Sequence, residues 1–295
     1  MSSASTVGGS TGAHPLDVGT RRHYRGAFGR MYRGELWLML TRRRNIALLT
    51  VLGLVPLFIG VAVDISRPRA GDGPQFIGQV SSNGLFLILT ALTVSLPLFF
   101  PLIIGVVSGD SIAGEAGLGT LRYLLTIPVT RGRVLAMKTL GVATFTAIAV
   151  LVVSAVGLAT GAVLFGLHPV TLLSGDTVSL LNGLARTVGV IGYVTVALFG
   201  LAAVGLFVST LTENAIAAMA GTIGFAVFSA VLDAVPQLSA IHGILLTDHW
   251  LGFGEFLRTG IDYSTLLRWS ALHVAYAAVF ISMAWARLAT KDVTS

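Results

Sequence analysis

Past residue 44 the chain is a series of long apolar runs separated by short polar breaks. The first run covers about residues 46–63 and contains Pro56. A loop rich in Asp, Arg, Gly and Pro follows over 64–74. The second run, about 85–107, holds Pro97 and Pro101, which predict a kinked or broken helix. The third covers about 138–167 and ends at His168-Pro169 and Ser174-Gly175-Asp176. The fourth covers about 184–211, and a tight turn at Thr212-Glu213-Asn214 leads into the fifth, which ends near Leu232. Residues 233–268 are less apolar, and the sixth run covers about 269–288. Runs of this length cross a hydrocarbon core of about 30 Å as helices. The pattern predicts an all-α integral membrane protein with six transmembrane helices over residues 45–290.

Ahead of the first run the period changes. Between Tyr24 and Thr41, Tyr24, Phe28, Met31, Tyr32, Leu36 and Met39 share one helical face. Arg22, Arg30, Arg33 and Trp37 lie largely opposite. Residues 21–44 are therefore expected to form an amphipathic helix in the membrane interface, with its arginines at the phosphates. The plainer alternative is a solvated helix leading into the membrane. Residues 1–20 are rich in Ser, Thr and Gly, lack the apolar centre of a signal peptide, and read as a disordered tail.

Composition agrees with the pattern: 54% hydrophobic, 11% charged, and a mean hydropathy of +0.85. The net charge of +6 is unevenly spread, with eight of the nineteen Lys+Arg between Arg21 and Arg44. That crowding beside the first span points to a membrane surface and away from nucleic acid. Fourteen Lys+Arg fall on the side of the termini, against five opposite: Arg67, Arg69, Arg186, Arg258 and Arg268. The positive-inside rule then places both termini in the cytoplasm. Localisation is expected to be the cell membrane. The chain has no cysteine, which excludes disulfides and thiol chemistry.

One polar interruption stands out, residues 108–141, with Asp110, Glu115, Arg122, Arg131, Arg133 and Lys138. On the charge count it is cytoplasmic. A short helix around 112–125 would put Glu115 and Arg122, seven apart, on one face. Spacing alone leaves equal room for a solvated loop whose charges keep it out of lipid.

The same stretch reads Gly119-Thr120-Leu121, Leu124-Leu125, Pro128-Val129, Thr130-Arg131 and Lys138 in order. In this it resembles the permease subunits of the ABC-2 type family of ATP-binding-cassette transporters. The likeness recurs at 205–211, a span ending in Ser209-Thr210-Leu211 before a short turn and a small-residue-rich return span. Where family members often carry a denser charge run, this chain has Ala113-Gly114-Glu115-Ala116-Gly117. The resemblance implies a cytoplasmic coupling helix between spans two and three, in the segment 108–138. It also implies a docking set of Asp110, Glu115, Gly119, Thr120, Leu121, Arg122 and Arg131 for ABC ATPase subunits. Glu213 would be a second, minor contact, although a solvated turn residue is the default reading of its position. A second permease copy or a homologue would complete the membrane part, embedded in membrane lipid.

Neither lysine follows a glycine, and no G-x-x-x-x-G-K-[ST] pattern occurs. ATP and Mg are therefore expected on the partner subunit, with no cofactor and no catalytic residue in this chain. His242 and His249 are seven apart, with Asp248 beside them, and they read as interfacial polar residues rather than a metal site. Gly157 and Gly161 form a G-x-x-x-G pair suited to close helix packing. The function expected is export, with the permease forming the substrate path. The alternatives are an ABC-driven mechanotransmitter or maturation factor acting on a partner outside the membrane through 233–268, or an ATP-independent secondary carrier. A carrier would be expected to show ionisable residues inside its spans.

Overall fold

The computed structural model describes residues 27–66, 83–118, 130–172 and 174–290. The tail 1–20, the start of the amphipathic segment with Arg22 and Tyr24, and the stretch holding Gly119, Thr120, Leu121 and Arg122 lie outside the described residues.

The helices are α1 (Ala27–Thr41), α2 (Arg43–Ser66), α3 (Leu85–Ser95), α4 (Phe99–Gly117), α5 (Arg131–Leu164), α6 (Leu180–Leu211), α7 (Ala215–Asp233), the single turn α8 (Ser239–His242) and α9 (Tyr263–Thr290). A two-residue hairpin, β1 (Val170–Thr171) and β2 (Thr177–Val178), turns at Gly175 with φ of +92°. Two 3-10 turns, Pro236–Leu238 and Trp250–Leu257, sit between α7 and α9. Six helices are long and apolar enough to cross a membrane: α2, α4, α5, α6, α7 and α9. The chain is a multi-pass membrane protein, and its described residues are almost entirely helical.

The second apolar run is broken where proline requires it. Pro97 has no N–H for the carbonyl one turn back, so α3 stops at Ser95 and α4 restarts at Phe99. Pro101 falls in the first turn of α4, where a missing N–H leaves no bond unmade. Pro56, by contrast, is carried within a continuous α2. The Gly157/Gly161 pair is used within the chain. Gly161 meets Gly84 backbone to backbone, and a Cβ on Gly157 would stand 3.3 Å from the Ile88 Cα. These glycines let α3, buried over residues 85–92, lie directly on α5.

Several boundaries move outward from the hydropathy estimate. α5 has 34 residues and α6 has 32. At about 1.5 Å per residue each is roughly 50 Å long, well beyond a core of about 30 Å. Residues 131–138 are thus the first turns of a spanning helix. Residues 112–117, expected to open a separate coupling helix, are the last turns of α4. The interruption at 108–138 is helix at both ends because backbone hydrogen bonding does not stop where side chains turn polar. The interfacial segment ends earlier than expected: the chain bends at Arg42, and Arg43 and Arg44 open α2. The buried Asn45 amide donates to the Met39 carbonyl at 2.8 Å and so satisfies the end of α1.

α1 turns Met31, Tyr32, Leu36 and Met39 inward and leaves Arg30, Arg33 and Trp37 exposed. Phe28, placed on the inward face by its spacing, is 39% exposed at the helix start. The inward face packs along the first half of α5, with the Tyr32 hydroxyl 2.5 Å from that of Thr144. The start of α5 also meets the last turn of α9. Both ends of the described chain therefore lie at one end of the bundle, called here the terminal end. The α7–α9 connection is at the far end.

Candidate functional site

At the terminal end, six charged side chains, five from four helices and one from the bend at Arg42, interlock. Arg42, at the bend, and Arg44, in the first turn of α2, each donate to Asp110 Oδ2 at 2.7 Å. Asp110 sits on α4 with its side chain 11% exposed. Lys138, on α5 and 3% exposed, bonds Glu35 of α1 at 2.7 Å and also pairs with Glu115 of α4. An ammonium buried this deeply is tolerable only when paired, and two carboxylates supply the charge. A small cavity of about 40 Å³ lies among these groups.

One face of α4 thus meets α1, α2 and α5 through charge. Another meets α6 through Ser209. The Ser209 hydroxyl donates to the Gly109 carbonyl at 2.6 Å and accepts from the amides of Ile112 and Ala113 at 3.0 and 2.8 Å. Gly109 O and Ala113 N are an i, i+4 pair of the α4 ladder, so one side chain of α6 bonds both members of a single rung.

Beyond this, α4 ends against the α6–α7 turn. Asn214 caps α7, its Oδ1 accepting from the amides of Ile216 and Ala217 at 2.9 and 3.3 Å. A Cβ on Gly117 would lie 2.6 Å from the Glu213 carbonyl oxygen, so only glycine allows this approach. An open groove of about 460 Å³ lies here, lined by Asp110, Gly114, Gly117, Glu213, Asn214 and Ile216 among others. Its rim carries Leu118 and Ile216, 77% and 75% exposed, beside the exposed Glu213. The fold therefore brings Asp110 and Glu213 to one groove and ties Glu115 back into the bundle through Lys138. Arg131 donates to the carbonyls of Leu288 and Ala289 at 2.9 and 3.0 Å, closing the last turn of α9 where a cation also suits the helix dipole.

A second polar cluster occupies the far end. Asp233, the last residue of α7, comes together with His242 and Asp248, one donor atom of each lying within 4.8 Å of the others. His242 Nε2 is 3.1 Å from the Val235 carbonyl. His249 Nδ1 is 3.1 Å from Asp248 Oδ2, and its ring stacks on Trp269 at 4.9 Å. Burial pushes the His249 imidazole below its ordinary value, against the pull of Asp248 and Asp233. Nearby, Asp262 caps the first turn of α9. Hydrogen bonds from the hydroxyls and amides of Ser264 and Thr265 hold its carboxyl down at about 2.

Sequence reasoning missed Glu35, the one acid in a basic helix, as the partner of Lys138. It missed Ser209 as an interhelical bond and Asp233 as a neighbour of His242. It also passed over His273, a fully buried residue of α9 lying edge-on to Tyr193. Neither of its ring nitrogens has a hydrogen-bond partner among the described residues.

Compared with curated proteins, the chain finds no match. Residues 72–294, most of the chain, match the family described as protein of unknown function (DUF2705), and the chain belongs to that family.

Proposed function

We propose that this chain is the membrane-spanning permease subunit of an ATP-binding-cassette exporter, receiving its energy from separate ATPase subunits at the terminal end of the bundle. The observation that carries this reading is the groove between the end of α4 and the α6–α7 turn. There an exposed carboxylate, Glu213, stands beside two exposed aliphatic side chains, Leu118 and Ile216. An amphiphilic notch of this kind suits a folded protein better than bulk water or lipid. The excess of Lys+Arg on the same side supports a cytoplasmic location for it. The resemblance of 119–138 and 205–211 to ABC-2 type permeases supports the identity of the partner. ATP and Mg are bound by that partner, and a second permease copy or homologue completes the pathway.

In this reading the expected contacts have different jobs. Asp110 and Glu213 flank the groove. Glu115 acts through Lys138, holding α4 on α1 and α5, and Arg131 holds α5 to α9. Both position the docking surface. Closure of the ATPases would press on the α4 end, and the ion pairs would pass that movement to α1, α2 and α5.

The chain has no cysteine, so single-cysteine crosslinking has no background. Glu213→Cys is expected to crosslink to a co-purifying ATPase subunit in mild detergent, and Thr259→Cys at the far end is not. If no ATPase subunit co-purifies, or if both positions crosslink equally, the reading fails.

A further inference from the structure

We infer that Asp233, His242 and Asp248 form a binding site for a zinc-class divalent cation at the far end of the bundle. The three residues come from the end of α7, the end of α8 and the turn before the Trp250–Leu257 segment, and one donor atom from each lies within 4.8 Å of the other two. Zinc holds imidazole nitrogen and carboxylate oxygen at about 2.0–2.2 Å, which separates neighbouring donors by roughly 3.4 Å. Each donor therefore has to move inward by no more than about an ångström. Two carboxylates and one imidazole satisfy zinc's preference for mixed nitrogen and oxygen ligands, whereas calcium and magnesium favour oxygen alone.

The surroundings hold these donors in place. His242 Nε2–H donates to the Val235 carbonyl, which in the neutral ring leaves the lone pair on Nδ1. Asp248 is oriented from behind by His249 Nδ1, whose ring is itself fixed against Trp269. The connecting backbone is pinned from three spans. Tyr193 of α6 donates to the His249 carbonyl, Ser229 of α7 accepts from the Thr247 amide, and Tyr276 of α9 donates to the Ile244 carbonyl. All three ligating residues are half-buried. Among the described residues, neither Asp233 nor Asp248 has a Lys or Arg within salt-bridge distance. A divalent cation would balance the two carboxylates, which otherwise hydrogen-bond to each other. Three protein donors leave one tetrahedral position for water. The bound ion would fasten residues 242–248 to the end of α7. This inference does not depend on the transport reading.

Zinc chloride titrated into the full chain, purified in detergent and stripped with EDTA, tests it. One zinc per chain is expected, with X-ray absorption reporting nitrogen and oxygen neighbours only, including one imidazole. Magnesium and calcium at the same concentration are not expected to compete. His242→Ala and Asp248→Asn should each weaken binding at least about tenfold, while His168→Ala should bind as the wild type does. Zinc should raise the unfolding temperature of the wild type and not that of the variant carrying both His242→Ala and Asp248→Asn. Matching unfolding temperatures in EDTA would verify that the variants are folded. If His242→Ala fails to fold, His242→Asn, which retains polar volume, takes its place. Absence of zinc from the wild type, or equal binding by the folded variants, overturns the site.

Discussion

The two polar clusters at opposite ends of the bundle balance charge in opposite ways. At the terminal end three cations, Arg42, Arg44 and Lys138, meet three carboxylates, Glu35, Asp110 and Glu115. Each carboxylate there has its counter-ion within the fold. At the far end two carboxylates, Asp233 and Asp248, gather beside the rings of His242 and His249, with no Lys or Arg paired to them among the described residues. A cluster complete in itself holds helices together. A cluster short of positive charge has an opening for something from outside. Charged groups at the ends of spanning helices can thus be structural ties or receptive sites, and the balance of partners separates the two.

The largest effect expected from breaking this contrast is at Lys138. Lys138→Met removes both pairs and leaves Glu35 and Glu115 facing each other with little solvent. A loss of about 3–5 kcal/mol follows for an uncompensated buried charge. It should be visible as a sharp fall in unfolding temperature and yield in detergent. The triple variant Glu35→Gln, Lys138→Met, Glu115→Gln should recover most of the loss. If it does not, Lys138 contributes by packing and the terminal cluster is not an ionic tie.

Asp110→Asn should cost less. Its arginine partners are 51% and 42% exposed and regain water when released, which limits the loss to about 1 kcal/mol. Comparing its unfolding temperature with that of Lys138→Met would show whether the two halves of the cluster differ as their burial indicates. The smallest effect belongs to Asp262, the exposed far-end carboxylate satisfied by helix N–H groups and hydroxyls. Its folded value of about 2 lies below the ordinary 3.8. Its contribution is therefore complete above the ordinary value and is lost as pH falls through about 2. Asp262→Asn should unfold slightly earlier than the wild type at neutral pH, and the gap should close between pH 3.8 and 2. A gap that persists at pH 2 would mean that the cap acts through shape alone.

The spans were legible because hydropathy is a local property. The proline break at Pro97, the turn capped by Asn214 and the G-x-x-x-G spacing of Gly157 and Gly161, though not its partners Gly84 and Ile88, were legible for the same reason: each is a pattern of residues close in sequence. The pairing of Glu35 with Lys138, 103 residues away, depends on how α1 lies on α5, and no local pattern encodes that. Asp233 was invisible as a neighbour of His242 because the chain between them folds through a 3-10 turn and a single helical turn rather than one periodic element. The true start of α5 was hidden because Arg131, Arg133 and Lys138 made its first turns look like loop. For the docking set, the sequence showed which residues share a polar stretch but not which of them face outward. Glu115 and Arg131 carry the right charge for a contact surface, yet their described bonds run to Lys138 and to the end of α9.

Ser209 gives the bundle a mechanical property. Two helices that touch only through side-chain surfaces can slide or roll past each other by small steps. A hydroxyl bonded at once to the Gly109 carbonyl and to the amides of Ile112 and Ala113 resists that, because displacing it breaks three hydrogen bonds at a buried site. α4 and α6 are therefore geared together at this level. In the proposed docking, a push on the groove beyond Gly117 would move α4 and α6 together, with the break at Pro97 as the nearest interruption of the helix.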